Sequence, residues 1–276
     1  MELKGEARVL TAFPPLPHVP EPHAFRLGVT SYVHPADILP NVEAVAPFVD
    51  DIELVFFDSG EHSNLPSAQD IRTLRDLAAA HDLTYTVHFP IDKALGSPSP
   101  AEREDLLTQM LRIGDLCRPL QPHGWLLHVE GITPAALPER IHEWQRDALP
   151  LIARLDRHLG DSRRICLENL GYPFAWCDPF LAQFPFSICL DAGHLWQGGF
   201  DWRDHVARYL PRTRVIHLYG TAEGSRHFSL TVSPAQLVRD FLVSIGNYDE
   251  VLTLETFGHE DTVSSLERLS ECLSNP

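Results

Sequence analysis

Eight apolar, strand-like stretches recur along this 276-residue chain, and seven of them end in a carboxylate or an imidazole. The endings are Glu53 in IELVFFD, His88 in TYTVHFP, His128 in WLLHVE and Glu168 in ICLENL, then Asp191 and His194 in ICLDAGH, His217 in VIHLYG and Glu255 in LTLETF. The runs cover 26–33, 50–58, 83–90, 124–130, 163–170, 186–192, 213–219 and 250–257. Most are nearly continuous in apolar residues, as parallel strands covered on both faces require.

Helix starts fall between the runs. Ser67 sits ahead of Asp70 at capping-box spacing, and Ser99-Pro100 is followed by Glu102. Thr133-Pro134, and Ser233-Pro234 with Gln236, repeat the pairing of a cap with a first-turn proline. Leu106, Met110 and Ile113 form one apolar helix stripe. Strand then helix, with no second composition regime, predicts an α/β chain folded as a single-domain (β/α)8 barrel over 26–276. Residues 1–25 are Pro-rich and aperiodic, an expected extended arm. A doubly wound open sheet is the competing arrangement, but GVTSYVHP after the first run is not the Gly-rich phosphate turn such sheets carry. In a barrel the strand C-termini converge on one face, so the acids and imidazoles at the strand ends would be neighbours there.

The net charge of −16, from 22 basic and 38 acidic residues, lacks the basic footprint of a nucleic-acid binder. A small-molecule substrate is expected instead. No apolar run has the length of a signal peptide core or a membrane span, and the five cysteines form no CxxC pair. The expectation is a cytoplasmic protein with reduced core thiols and no membrane association.

Burying several charges side by side is costly unless they are paired or bind a metal, and interleaved imidazoles and carboxylates are the donors of divalent cations. Glu168, Asp191, His217 and Glu255 come from four successive strands, and His88 and His128 from the two before them. A carboxylate between such groups can bridge two ions. His194 follows Asp191 past Gly193, and His227 lies at the same rim in GTAEGSRHFSL. The mixed nitrogen and oxygen set suits zinc first, with manganese, iron and cobalt as alternatives. Glu53 is a candidate acceptor for a ligand histidine, and Glu130 could act likewise. Tyr32, Trp176, Trp196 and Tyr219 are candidates for an aromatic platform under a flat ligand. Arg226 is a candidate donor to a substrate phosphate.

The spacing of His88, His128, Glu168, the LDAGH segment, His217, His227 and Glu255 resembles the xylose-isomerase-like barrels, and within them endonuclease IV and related metallo-phosphodiesterases. That resemblance implies one ion at His88, His128 and Glu168, and a second at Glu168, Asp191, His217 and Glu255. A third would use His194 and His227, although this chain has Ser225-Arg226 where the pattern carries an Asp before the last His. The segments RLGVTSYVHPADILPNV, DDIELVFFDSGEHSNLPS, LTYTVHFPID and HLYG…HFSL are similar to the bacterial cobamide-remodelling phosphodiesterases (CbiR-like). This closer resemblance implies hydrolysis in the nucleotide loop of a cobamide such as adenosylcobalamin or methylcobalamin. The products would be cobinamide phosphate and the lower-ligand riboside.

The expected chemistry is metal-assisted attack of water on phosphorus, with Glu168 between two ions and Glu255 or Glu53 relaying the proton. Three other functions fit parts of the same pattern. A mononuclear sugar isomerase or epimerase would use Glu168, Asp191, His217 and Glu255. An abasic-site endonuclease would use the same ligand set, and a cobamide binder would hold ligand without turnover.

Overall fold

Eight parallel strands pair in chain order and close: β1 (Arg26–Thr30), β2 (Asp51–Val55), β3 (Thr84–His88), β4 (Gly124–Leu127), β5 (Ile165–Glu168), β6 (Ser187–Asp191), β7 (Thr213–Leu218) and β8 (Val251–Leu254). The closing register sets Val29 beside Leu254, and Gly28 faces Asp51 on the other side of β1. This computed structural model describes residues 13–20, 23–59, 62–222 and 225–274. The sheet is a closed barrel, not an open doubly wound one.

The strands are shorter than the apolar runs that announce them. Val33, Phe89, Val129 and Tyr219 lie beyond strand ends yet are fully buried, because the loops at the mouth pack inward. The apolar pattern therefore overruns the hydrogen-bonded ladder.

Nine α-helices among the described residues wrap the barrel: α1 (Ile38–Val45), α2 (Ala68–His81), α3 (Pro100–Cys117), α4 (Pro138–Leu159), α5 (Asp178–Gln183), α6 (Ala192–Gly198), α7 (Trp202–Tyr209), α8 (Ala235–Ile245) and α9 (His259–Ser274). At α2 the capping box is complete: Ser67 Oγ accepts from the Asp70 amide at 3.2 Å and Asp70 Oδ2 accepts from the Ser67 amide at 2.8 Å. Ser99 caps α3, but the Glu102 carboxylate accepts from Ser97 Oγ at 2.7 Å and from the Ala94 amide at 3.2 Å, not from Ser99.

Two predicted helix starts are corrected. α4 begins at Pro138, past Thr133-Pro134, and its N-cap Leu137 supplies no side-chain acceptor. Pro234 is itself the N-cap of α8, and Ser233 Oγ accepts instead from the Thr221 amide at 3.4 Å, tying the helix start to the loop after β7. Leu106, Met110 and Ile113 are buried on α3, as their spacing requires.

Inside the barrel floor Leu126, Cys166, Cys189, Val215 and Val251 make a closed apolar cluster. All five cysteines are buried and free. Among the described residues no helix is long and apolar enough to cross a membrane. Of the expected arm, residues 1–12 and 21–22 lie outside the described residues; Leu16 is buried and the Phe13 ring stacks on His34 at 4.1 Å.

Candidate metal centre at the barrel mouth

Each strand-end residue reaches the mouth by its place in the register. His88, Glu168 and Asp191 are the last residues of β3, β5 and β6; His128 and Glu255 directly follow β4 and β8. His217 lies one residue inside the end of β7, where it pairs with Asp191 across the ladder. Glu53 is not at a strand end, as its motif implies, but in the middle of β2, one layer down. Glu53, His88, Glu168, Asp191, His194, His217 and Glu255 are all buried.

Glu168 is the hub. Its Oε1 lies 3.0 Å from His128 Nε2 and 3.4 Å from His194 Nδ1. Its Oε2 lies 3.8 Å from His88 Nε2 and 3.7 Å from His217 Nδ1. On the far side His217 Nδ1 is 3.1 Å from Glu255 Oε2 and 3.8 Å from Asp191 Oδ2. Despite these distances, His128 Nε2, Glu168 Oε2, Asp191 Oδ2, His217 Nδ1 and Glu255 Oε2 are buried with no hydrogen-bond partner. These five atoms lie close to neighbouring donors of the cluster without meeting hydrogen-bond geometry, which leaves them as candidate ligand atoms. Donor atoms of His88, His128 and Glu168 lie within 4.8 Å of one another, as do those of Asp191, His217 and Glu255, and those of Glu168, Asp191 and His194.

The opposite ring nitrogens are tethered. His88 Nδ1 bonds the Phe89 carbonyl at 2.8 Å, and His128 Nδ1 meets Glu130 Oε1 at 3.3 Å, which leaves Nε2 to the centre in both. His217 is reversed: Nε2 bonds Glu53 Oε2 at 2.7 Å and Nδ1 faces inward. Second partners of this kind fix the tautomer of a ligating imidazole. Asn169, beside Glu168, was not legible as a site residue. Its side chain bonds both the amide and the carbonyl of Asp191 at 2.9 Å, and its carbonyl meets His194 Nδ1 at 3.0 Å, so it sets the β6 to α6 turn.

The charges are unbalanced. Burial opposes charge on His128, yet Glu168 and Glu130 outweigh it and push the imidazole up to about 10. His194 is raised against burial by Asp191 and Glu168. His217 is raised well above its ordinary value, against burial, by Cys189, Glu255, Glu53 and Glu168; burial pushes the Cys189 thiol well up, so it stays neutral and the carboxylates carry the effect. Burial would raise Glu168 and Glu255, but the imidazoles hold both well below the usual carboxylate range. Without a cation, the acids favour the protonated form of these imidazoles. A divalent ion satisfies the same demand, and the orphaned donors fit one.

The other candidates divide. His227 has a left-handed backbone (φ 61°), and its Nδ1 turns to Glu255, 3.2 Å from the carbonyl and 3.4 Å from Oε2. His194 falls instead with Glu168 and Asp191, and the Tyr219 ring lies against both histidines, 4.3 Å from His227 and 6.2 Å from His194. The expected His194–His227 pairing is thus not the one drawn by the donor atoms of the described residues. Tyr219 is buried against Gly193, where a Cβ would come within 2.2 Å of its ring, so the Gly of DAGH makes room for the tyrosine. Trp196 packs edge-on against Phe241 of α8, away from the mouth, and Trp176 stacks on Tyr172, so neither supplies the expected platform. Tyr32 remains at the rim, its hydroxyl accepting from Asn64 at 2.9 Å. The Arg226 side chain lies outside the described ones. A cavity of about 300 Å³ opens over the centre, lined by His88, His128, Glu130, Glu168, His194, His227 and Glu255 together with the apolar Val55, Phe56, Phe89, Ile91 and Phe257.

Fold and centre together define a (β/α)8 barrel with an acid–imidazole cluster at its C-terminal mouth. The chain belongs to the xylose isomerase-like TIM barrel family, which it matches over residues 49–273. Its structure is similar to a D-tagatose 3-epimerase-like protein (TM-score 0.72, 19% identity, 91% of this chain and 97% of that one). It is also similar to endonuclease IV from Thermus thermophilus (TM-score 0.68, 20% identity, 91% and 100%). A third similar structure is the IOLI protein with a bound zinc atom (TM-score 0.67, 13% identity, 91% and 98%). At such identities the likeness is one of fold. Curated protein sequences give no match.

Proposed function

We propose that this protein is a metal-dependent phosphodiesterase that opens the nucleotide loop of a cobamide, releasing cobinamide phosphate and the lower-ligand riboside. The observation that carries the reading is the position of Glu168, whose two oxygens each face a different pair of imidazoles. His88, His128 and Glu168 would hold one divalent ion, zinc by donor type; Glu168, Asp191, His217 and Glu255 would hold another. When bound, such ions neutralise phosphoryl charge and make water a stronger acid. A single ion on the second group would leave His88 and His128 without a purpose. The cobamide itself rests on the sequence resemblance of the strand and loop segments.

The chain's own residues do the positioning. Glu53, Glu130 and the Phe89 carbonyl hold the far nitrogens of His217, His128 and His88, so the near nitrogens need no reorganisation. In the hydrolysis, the oxygen of water joins phosphorus, the bond from phosphorus to the riboside oxygen breaks, and that oxygen leaves as a hydroxyl with the proton that water gives up. Of the two carboxylates expected to take the proton, Glu53 is fully buried beneath His217, whereas Glu255 lines the cavity. Glu255 can therefore meet the proton, although its depressed pKa suits it better as a ligand.

One alternative has support of its own: the epimerase structures share this fold, and the donor group of Asp191, His217 and Glu255, with Glu168 as the fourth ligand, would serve a mononuclear sugar epimerase. Elemental analysis and product identification separate the two. The phosphodiesterase reading expects two or more ions per chain and cobinamide phosphate, identified by mass, from adenosylcobalamin or methylcobalamin. One ion per chain, intact cobamide and a converted ketose would overturn it.

A further inference from the structure

Beside the acid–imidazole cluster the cavity is lined by apolar residues, and some of them are left in solvent. Among the described residues, six large hydrophobic side chains are exposed, and two of them, Ile91 (53% exposed) and Phe257 (41%), line this one cavity. A third, Phe57 (40%), adjoins it through Tyr32, whose ring centroid is 6.3 Å from that of Phe57 and 6.5 Å from that of Phe257. Phe257 also meets His227 edge-on at 5.3 Å, so the apolar wall runs straight into the ligand cluster. Exposed apolar groups gathered at a concave site mark binding surface rather than chance.

The wall is also braced. The Asn64 side chain donates to Tyr32 Oη at 2.9 Å and to the Val55 carbonyl at 2.8 Å, while its Oδ1 accepts from the Phe57 amide at 2.9 Å. One amide thus fixes the Tyr32 ring and the backbone that carries Phe57. Solvent-facing aromatics held this way keep their flat faces available at little entropic cost.

We infer that Ile91 and Phe257, continued by Tyr32 and Phe57, form a subsite for a planar heteroaromatic ring of the substrate, seated beside the phosphoryl group at the acid–imidazole centre. This rests on the phosphodiesterase reading and adds to it the group recognised: the aromatic base on the leaving riboside. A cavity of about 300 Å³ is at the small end of ligand pockets, with room for one such ring system and a phosphate. Asn64 is a positioning residue; Phe257 and Ile91 would touch the ring.

The test uses benzimidazole riboside as probe and ribose as control, with the metal-loaded full chain, binding being followed by calorimetry. Wild type should bind the riboside far better than ribose. Phe257→Ala should weaken riboside binding by about 5- to 100-fold, the loss expected for one stacked base. Phe257→Tyr, which keeps a flat ring, should stay close to wild type. Melting temperature controls for folding, and the exposure of Phe257 makes the variant tolerable. Riboside binding indifferent to both Phe257→Ala and Ile91→Ala would overturn the subsite. So would a wild-type dimer that Phe57→Ala dissociates, since the patch would then be covered by a second copy. The two readings fail separately. Ring-dependent riboside binding by a protein that leaves cobamides intact keeps the subsite and removes the phosphodiesterase. Cobamide cleavage with a KM unmoved by Phe257→Ala does the reverse.

Discussion

Asp51 and Glu53 stand two residues apart on β2, both with 0% exposure, and they differ in what they lack. Asp51 belongs to the floor. Its Oδ2 accepts from Thr84 Oγ1 at 2.6 Å and its Oδ1 from Thr86 Oγ1 at 2.9 Å, so both oxygens are satisfied. Glu53 supports the mouth. One oxygen holds His217, and the other has no partner. The pattern extends upward, where Glu168, Asp191 and Glu255 each keep an unpartnered oxygen, whereas around Asp51 the floor closes on Leu126, Cys166, Cys189, Val215 and Val251. Burial and charge are common to both layers. Among these described carboxylates, an unpartnered oxygen separates Glu53 and the mouth acids from Asp51, and that is the mark of a place built for something else to bind.

Mutations at Glu168, Glu53 and Asp51 should separate the mouth from the floor. Glu168→Ala removes the hub, so bound metal and turnover should fall together. Losing Lewis-acid stabilisation worth several kcal/mol predicts a drop in kcat of about 1,000-fold or more. Full turnover with full metal content would take Glu168 out of the mechanism. Glu53→Ala should be milder: freeing the tethered nitrogen of His217 predicts a loss of about 10- to 100-fold in metal affinity, read by competition with a chelator. Asp51→Ala should do the opposite. It leaves the buried Thr86 hydroxyl without its acceptor and Thr84 with only the Asp50 carbonyl, and should cost about 1–3 kcal/mol of unfolding free energy, with metal content unchanged. An Asp51 variant that lost metal but kept its stability would erase the difference between floor and mouth.

That difference was only half legible in the sequence. The strand–helix alternation and the acid or imidazole at seven run ends were enough for the barrel and for the convergence of His88, His128, Glu168, Asp191, His217 and Glu255. Strand-end position depends on where the ladder stops and not on which face a side chain takes, so it survives boundary errors of a residue or two. What depends on side-chain direction was not legible. Glu53 reads as a run end but lies mid-strand, because the ladder continues past it to Val55, which pairs with His88. Trp196 follows a ligand segment yet sits on α6, whose turn carries it round to Phe241. Phe57, Ile91 and Phe257 read as ordinary hydrophobic residues, since nothing in one sequence distinguishes an exposed phenylalanine from a buried one.

The smallest effect concerns pH, and it sharpens the contrast between metal-free and metal-loaded protein. In the metal-free protein the His128 imidazole is pushed up to about 10, from an ordinary value near 6.5. A raised folded-state pKa stabilises fully below the unfolded value, and that contribution is lost as pH climbs through the folded one. Glu168 has the reverse sign. Its depressed carboxyl stabilises above the ordinary carboxylate range and loses its effect only in acid. Between pH 6.5 and 10, then, only the histidine contribution changes, and the melting temperature of chelator-treated protein should fall, by several degrees on the order set by a domain of this size. With the cation in place His128 is already neutral and has no proton to give up, and higher pH removes the competition between protons and metal. The melting curves with and without chelator should therefore diverge as pH rises. Curves that stay parallel from pH 6.5 to 10 would mean that protons and metal do not share this site.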